Sequence, residues 1–108
     1  MKNIAIVILN HNGINLLKKF LSNVILNSPE ADTVLIDNGS TDNSVSWFKI
    51  NYPNLKCVEL KKNYGYAEGY NRGLKHLNHL YFALLNNDLC VTKGWLPPIL
   101  DEFERKNN

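Results

Sequence analysis

A carboxylate at Asp88, two residues after the amide oxygen of Asn86 and just past the apolar run Leu80 to Leu85, can take part in binding a divalent cation. Hard cations such as Mg2+ and Mn2+ favour oxygen donors of this kind. Two or three side-chain oxygens hold them weakly, so a diphosphate would complete the coordination. The same residues also suit a turn or a helix cap, and their spacing alone leaves both readings open. A second carboxylate, Asp37, ends another apolar run and opens the turn Asp37-Asn38-Gly39-Ser40-Thr41-Asp42. Dinucleotide-binding folds place an acidic residue there on a ribose, but they also require Gly-x-Gly-x-x-Gly after the first strand. Asn12-Gly13-Ile14-Asn15-Leu16-Leu17 has a single glycine, and no P-loop lysine is present.

These residues need a scaffold, and the hydrophobic pattern supplies one. Apolar runs of strand length alternate four times with stretches of helical period, which predicts an α/β fold with a mainly parallel sheet between helical layers. Ile4 to Leu9 is apolar on both faces, as a central parallel strand must be. Ile14, Leu17, Leu21 and Val24 form one helical face that ends before Pro29, and Thr33 to Ile36 is the second strand. Ser40 is placed to cap a helix carrying Val45, Phe48 and Tyr52 inward, with Pro53 closing it. Lys56 to Leu60 reads as a third strand, followed by a helix with Ala67, Tyr70, Leu74 and Leu77 on one face. Leu80 to Leu85 is a buried fourth strand, Leu89 to Val91 a short extended piece, and Trp95 to Arg105 a last helix.

Ligands of an open parallel sheet bind outside the carboxyl ends of its strands. Here those ends are Asn10-His11-Asn12-Gly13, the Asp37 turn, Asn63-Tyr64-Gly65 and Asn86-Asn87-Asp88, all rich in hydrogen-bonding side chains. Any one of them is ordinary turn chemistry; their recurrence at all four strand ends marks the candidate site. His11, His76 and His79 match no metal-ligand spacing and read as surface residues. Tyr64, Tyr66 and Tyr70 read as helix packing and a pocket wall rather than a base-stacking platform.

Composition narrows the classes further. The 108 residues are 44% hydrophobic, enough for one domain core and too many for disorder. Twelve basic residues against ten acidic ones leave a net charge of +2, too little for a dedicated nucleic-acid binder. Two cysteines make no disulfide framework, and the longest apolar runs fall far short of the roughly 20 residues of a membrane span. With no signal-peptide pattern either, the cytoplasm is the expected compartment.

The four strand-end segments, in this order and spacing, resemble the N-terminal nucleotide-binding half of family-two glycosyltransferases with the GT-A fold. The matching stretches are Ile4 to Gly13, Asp37 to Asp42, Asn63 to Gly73 and Leu85 to Asp88, closest to the rhamnosyltransferase-like subset whose metal motif reads Asn-x-Asp. The resemblance implies a UDP- or dTDP-sugar donor, with Asp37 on the base, Asp88 on a Mg2+ or Mn2+ ion and Asn86 at the metal or ribose. Backbone around Asn10 would line the base pocket, Asn63 and Gly65 would let the chain pass close to the nucleotide, and Asn71 would brace helix to strand.

The implied reaction is inverting transfer of a hexosyl or deoxyhexosyl group to a hydroxyl of a glycan or lipid-linked acceptor, in polysaccharide biosynthesis. Residues 1–108 would then be one truncated, partial domain, since the family's acceptor site and general base lie further along the chain. No catalytic base is assigned. Self-association through an uncovered sheet edge, as a homodimer, is expected, as is peripheral placement at the inner membrane face through partners. Two other classes fit parts of the pattern: a non-catalytic nucleotide-binding or assembly module, and a flavodoxin-like signalling domain, which leaves the fourth strand end unexplained.

Overall fold

The computed structural model describes residues 1–106. Strand and helix alternate throughout: β1 (Ile4–Asn10), α1 (Ile14–Leu26), β2 (Ala31–Asp37), α2 (Ser44–Asn51), β3 (Cys57–Glu59), α3 (Tyr66–Leu74), β4 (Tyr81–Leu85) and α4 (Leu96–Lys106). The four strands form one parallel sheet in the order β3-β2-β1-β4. Its first two strands pair from Ile4 opposite Ala31 to Asn10 opposite Asp37, so their last residues lie side by side. The expected three-layer α/β architecture is present.

Alternation along β1 explains the layers, because successive side chains of a strand point to opposite faces. Ile4, Ile6 and Ile8 join Leu17, Leu21 and Val24 of α1, Phe48 of α2 and Leu96 of α4 in one core. Ala5 and Val7 join Val34, Ile36, Val58, Tyr70 and Leu77 in the other, beneath α3. Trp95 anchors the start of α4 by donating from Nε1 to Ser28 Oγ at 2.8 Å. Val91 is held to α1 through both its N–H and its carbonyl by the Asn23 side chain.

Several elements differ from the sequence-based expectation. Ser40 caps no helix: α2 begins four residues later, because the Ser40 hydroxyl and amide are both spent on Asp37. Ala67 is exposed, and the inner face of α3 is Gly69, Tyr70 and Gly73, so the helix comes down on the sheet through its glycines. Asn71 lies exposed on that helix, and the link between the end of β2 and the start of α3 is made by Asn38, which donates to the Gly65 carbonyl. β4 is an edge strand rather than a buried one, with Phe82 38% and Leu84 45% exposed, because it has β1 on one side only. The piece from Leu89 to Val91 forms no strand.

His79 is not a surface residue. Its ring is 6% exposed and Nε2 lies 2.9 Å from Asp32 Oδ2 at the start of β2. Burial raises the Asp32 carboxyl, but hydrogen bonds from His79 and the Lys2 amide outweigh it and hold the group below its ordinary value. Both cysteines are free, and burial, with Glu59 and Asp37 nearby, pushes the Cys57 thiol up to about 11. Among the described residues, no helix is long and apolar enough to cross a membrane.

The close seat of α3 yields a test. A methyl group on Gly73 would lie 2.2 Å from Ile36 Cδ1 and 2.7 Å from Cγ1 and Cγ2. Ile36 is fully buried and cannot yield. Gly73→Ala is expected to lower the unfolding free energy in urea by about 1–3 kcal/mol, the usual cost of overpacking, despite alanine's better helix propensity.

Candidate functional site

The carboxyl ends of the strands converge on a cleft of about 390 Å³, lined by Leu9, His11, Asn38, Asn63, Gly65 and Tyr66, with Asn86, Asn87 and Asp88 across from them. Its floor is set by Asp37, the last residue of β2. Only 3% exposed, this carboxylate is cut off from water and must find its donors in the protein. Oδ1 accepts from Asn10 Nδ2 at 3.1 Å and from Ser40 Oγ at 2.7 Å, while Oδ2 accepts from the Ser40 amide at 2.9 Å. The turn between can close because Gly39 has φ of 72° and packs against the backbone of Lys62, where any side chain would collide.

From this point the loops are tied in series. Asn10, fully buried, accepts from Asn87 Nδ2 at 3.2 Å, joining the end of β1 to that of β4. Asn38 donates to Asn63 Oδ1 at 3.1 Å and to the Gly65 carbonyl at 3.0 Å, and accepts from the Tyr64 amide at 3.0 Å. His11 Nδ1 lies 2.9 Å from the Asn38 carbonyl, which can only accept, so that nitrogen carries the proton. Asn12, at φ of 51°, accepts from the amides of Thr41 and Asp42 at 2.7 and 3.1 Å. Asp42 in turn accepts from the amides of Ser44 and Ile14, the first residues of α2 and α1, and from the Ser44 hydroxyl. Burial raises its carboxyl, and these hydrogen bonds together more than reverse that, leaving it below its ordinary value.

The far wall carries the charge. Asp88 is exposed and, among the described residues, has no ion pair. Asn86 Oδ1 accepts from Tyr66 Oη at 3.3 Å, and Tyr70 Oη donates to the Leu85 carbonyl at 3.2 Å, fixing the end of β4 against α3. Burial pushes the Tyr70 phenol up to about 12, so it stays a neutral donor. No cluster of three or more His, Cys, Asp or Glu side chains that could hold a metal occurs among the described residues. The oxygen donors that face the cleft, Asp88 and Asn86, suit a hard cation only in company with a ligand that brings oxygens of its own.

Of the six residues singled out in the sequence, Asn63, Gly65, Asn86 and Asp88 line this cleft. Asn10 and Asp37 do not; they lie beneath it, bonded to each other, although Leu9 and His11 on either side of Asn10 reach the wall. Tyr66, read from the sequence as a pocket wall, lines it too, as do Asn38 and Asn87, which the sequence offered only as members of the strand-end segments. Asn38 is as buried as Asp37, 2% exposed, and it borders the cleft by holding the Asn63 to Gly65 loop with its side-chain amide.

Comparison with known proteins places this geometry among relatives. The family model described as Glycosyl transferase family 2 matches residues 5–108. A poly-beta-1,6-N-acetyl-D-glucosamine synthase from Staphylococcus epidermidis is 30% identical over 89 residues, which is 79% of this chain and 21% of that protein. S. aureus TarS 1-349, solved in complex with UDP-GlcNAc, superposes with a TM-score of 0.81 at 20% identity, covering 97% of this chain and 32% of that one. The mannosyltransferase PcManGT from Pyrobaculum calidifontis, in complex with GDP-Man and Mn2+, gives 0.67 at 21% identity over 80% of this chain and 27% of that one. The chain thus spans about a fifth of the curated relative and about a third of the longer structures. The likeness to the solved structures establishes the GT-A glycosyltransferase fold.

The bonded carboxylates yield two predictions. Asp37→Asn turns an NH2 group toward donors it cannot satisfy and should cost about 1.5–3 kcal/mol of stability, read by urea unfolding without ligand. For Asp42, a depressed carboxyl stabilises the fold above its unfolded value near 3.8, and that stability is lost as pH falls through the lower folded value. Asp42→Asn should therefore be less stable than the parent at pH 7 and converge with it as the pH falls through the lowered folded value.

Proposed function

Because the chain belongs to glycosyl transferase family 2, we propose that its cleft binds the nucleotide diphosphate of a sugar donor, UDP- or dTDP-linked, in a metal-assisted way. The observation that carries this is the pairing of Asp88, a carboxylate with no ion pair among the described residues, with a facing wall from Asn63 and Gly65 that Asn38 holds from beneath. Both amide hydrogens of Asn38 are spent on Asn63 and the Gly65 carbonyl, so the surface offered to the base and ribose is the Asn63 to Gly65 loop that Asn38 holds in place. The α3 N-terminus at Tyr66, bordering the same cleft, suits the diphosphate. Asp37, the residue expected at the base, acts on this reading as a positioning residue that presents Asn38.

A Mg2+ or Mn2+ ion held by Asp88, with Asn86 as second oxygen donor, would neutralise charge on the departing diphosphate. The parent reaction is in-line attack of an acceptor hydroxyl on the anomeric carbon, with inversion and loss of the nucleoside diphosphate. This chain's own part is to orient the nucleotide along the amide wall and keep the diphosphate against Asp88. The acceptor, glycan or lipid-linked, is assigned to the longer protein that relatives of this family form.

Calorimetric titration with UDP, dTDP and GDP, with and without Mn2+, tests the reading. Binding of UDP or dTDP should be weak alone and stronger with Mn2+. Asp88→Ala should leave metal-free binding nearly unchanged and abolish the Mn2+ enhancement. No heat at millimolar nucleotide with Mn2+, or an undiminished enhancement in Asp88→Ala, would contradict it.

A further inference from the structure

Beside the cleft, on the far side of the Asn63 to Gly65 loop, a groove of about 520 Å³ runs between the end of β3 and α3. Lys61, Arg72, Lys75 and His76 line it together with Tyr64. Between Lys56 and Lys75 the chain carries five cations and two acids, of which Lys61, Arg72 and Lys75 and the single acid Glu59 line the groove. Both acids are occupied: Glu59 by Lys49 at 2.6 Å, and Glu68 by Arg72 Nε at 3.0 Å. Among the described residues, Lys61, Lys62 and Lys75 have no carboxylate partner.

One cation in the groove is held in place. The Arg72 guanidinium stacks 3.9 Å from the Tyr64 ring centroid, with Glu68 on its Nε, which leaves the outer N–H groups facing away from that bond. A fixed planar fork of this kind matches phosphate oxygens better than a mobile ammonium does.

We propose that this groove binds a linear, non-nucleic polyanion whose charges are phosphate groups. Its cations come from two elements, Lys61 just after β3 and Arg72 and Lys75 at the end of α3, which suits more than one such group. Nucleobases have no platform here, because Arg72 and Lys62 already engage the Tyr64 ring. A lipid surface fits less well: the site is concave, and its apolar member Leu60 is half-buried rather than projecting as an anchor. Tyr64 lies between two cleft residues, so a chain bound in the groove ends at the lip of the cleft. The inference does not depend on what the cleft holds.

The test uses the intact chain and short inorganic polyphosphate as probe, at low and at moderate salt. The parent should bind it, with affinity falling steeply as salt rises. The double variant Lys61→Glu with Lys75→Glu, both exposed, should melt like the parent, lose at least tenfold in polyphosphate affinity and show a shallower salt dependence. Arg72→Lys should lose affinity although the charge is kept. UDP titration of the same variants should match the parent, which separates this site from the cleft. Polyphosphate binding that is absent, or unchanged in these variants, would overturn the proposal. So would tighter binding to an oligoribonucleotide of equal charge, or to phosphatidylglycerol vesicles, than to polyphosphate.

Discussion

A carboxylate at the end of a central strand, shut away from water, must be given hydrogen bonds by its neighbours or be neutralised. Asp37 is in that position, and the way its need is met organises the end of the molecule where the candidate site lies. Asn10 on the adjacent strand supplies one donor, which locks the last rung of the β1–β2 ladder. Ser40 supplies two more, which bends the chain back within three residues. Asn38 is then carried on the apex of that bend, its amide free to reach the third loop, and Asn10 has its own oxygen left for the fourth.

Asparagine dominates these ties for a simple reason: each amide offers donors and acceptors at once, so one side chain can bridge two loops without introducing charge. Asn38, Asn63, Asn10 and Asn87 do this across the strand ends. The consequence for chemistry is that the wall is rigid and electrically neutral, and that Asp88 is the sole carboxylate among the residues lining the cleft. A single charge opposite a neutral wall binds a bare cation poorly and a cation–diphosphate unit better, since the unit brings its own oxygens. The cationic groove lies on the other side of the same loop, so one short segment, Asn63 to Gly65, separates two surfaces of different electrostatic character.

Much of this was readable from the sequence. Ile4 to Leu9, Leu17, Leu21, Val24 and Phe48 gave strand and helix by period alone, and the polar strand ends pointed to the edge of the sheet where the cleft lies. What periodicity could not tell was which small residues are contacts. Gly69 and Gly73 count as neutral in a hydrophobic pattern, yet Gly73 is where α3 meets Ile36 of the sheet and Gly69 where it meets Asn38, while Ala67, counted as apolar, faces solvent. Nor could residue type separate Asp37 from Asp88. Both are aspartates at a strand end, and burial makes one a structural clamp and leaves the other an open carboxylate. His79 was misplaced for a related reason: its partner Asp32 lies 47 positions away, beyond any local pattern.

The central claim, that the nucleotide and its cation sit at the carboxyl ends of the strands, is tested most directly by NMR on the labelled chain with UDP and trace Mn2+. Paramagnetic broadening should be strongest at the amides of Asn86 to Asp88, with shift changes at Asn38 and from Asn63 to Tyr66. Broadening centred instead on Asp32 and His79 at the opposite end of the sheet, or spread evenly over exposed carboxylates, would contradict it.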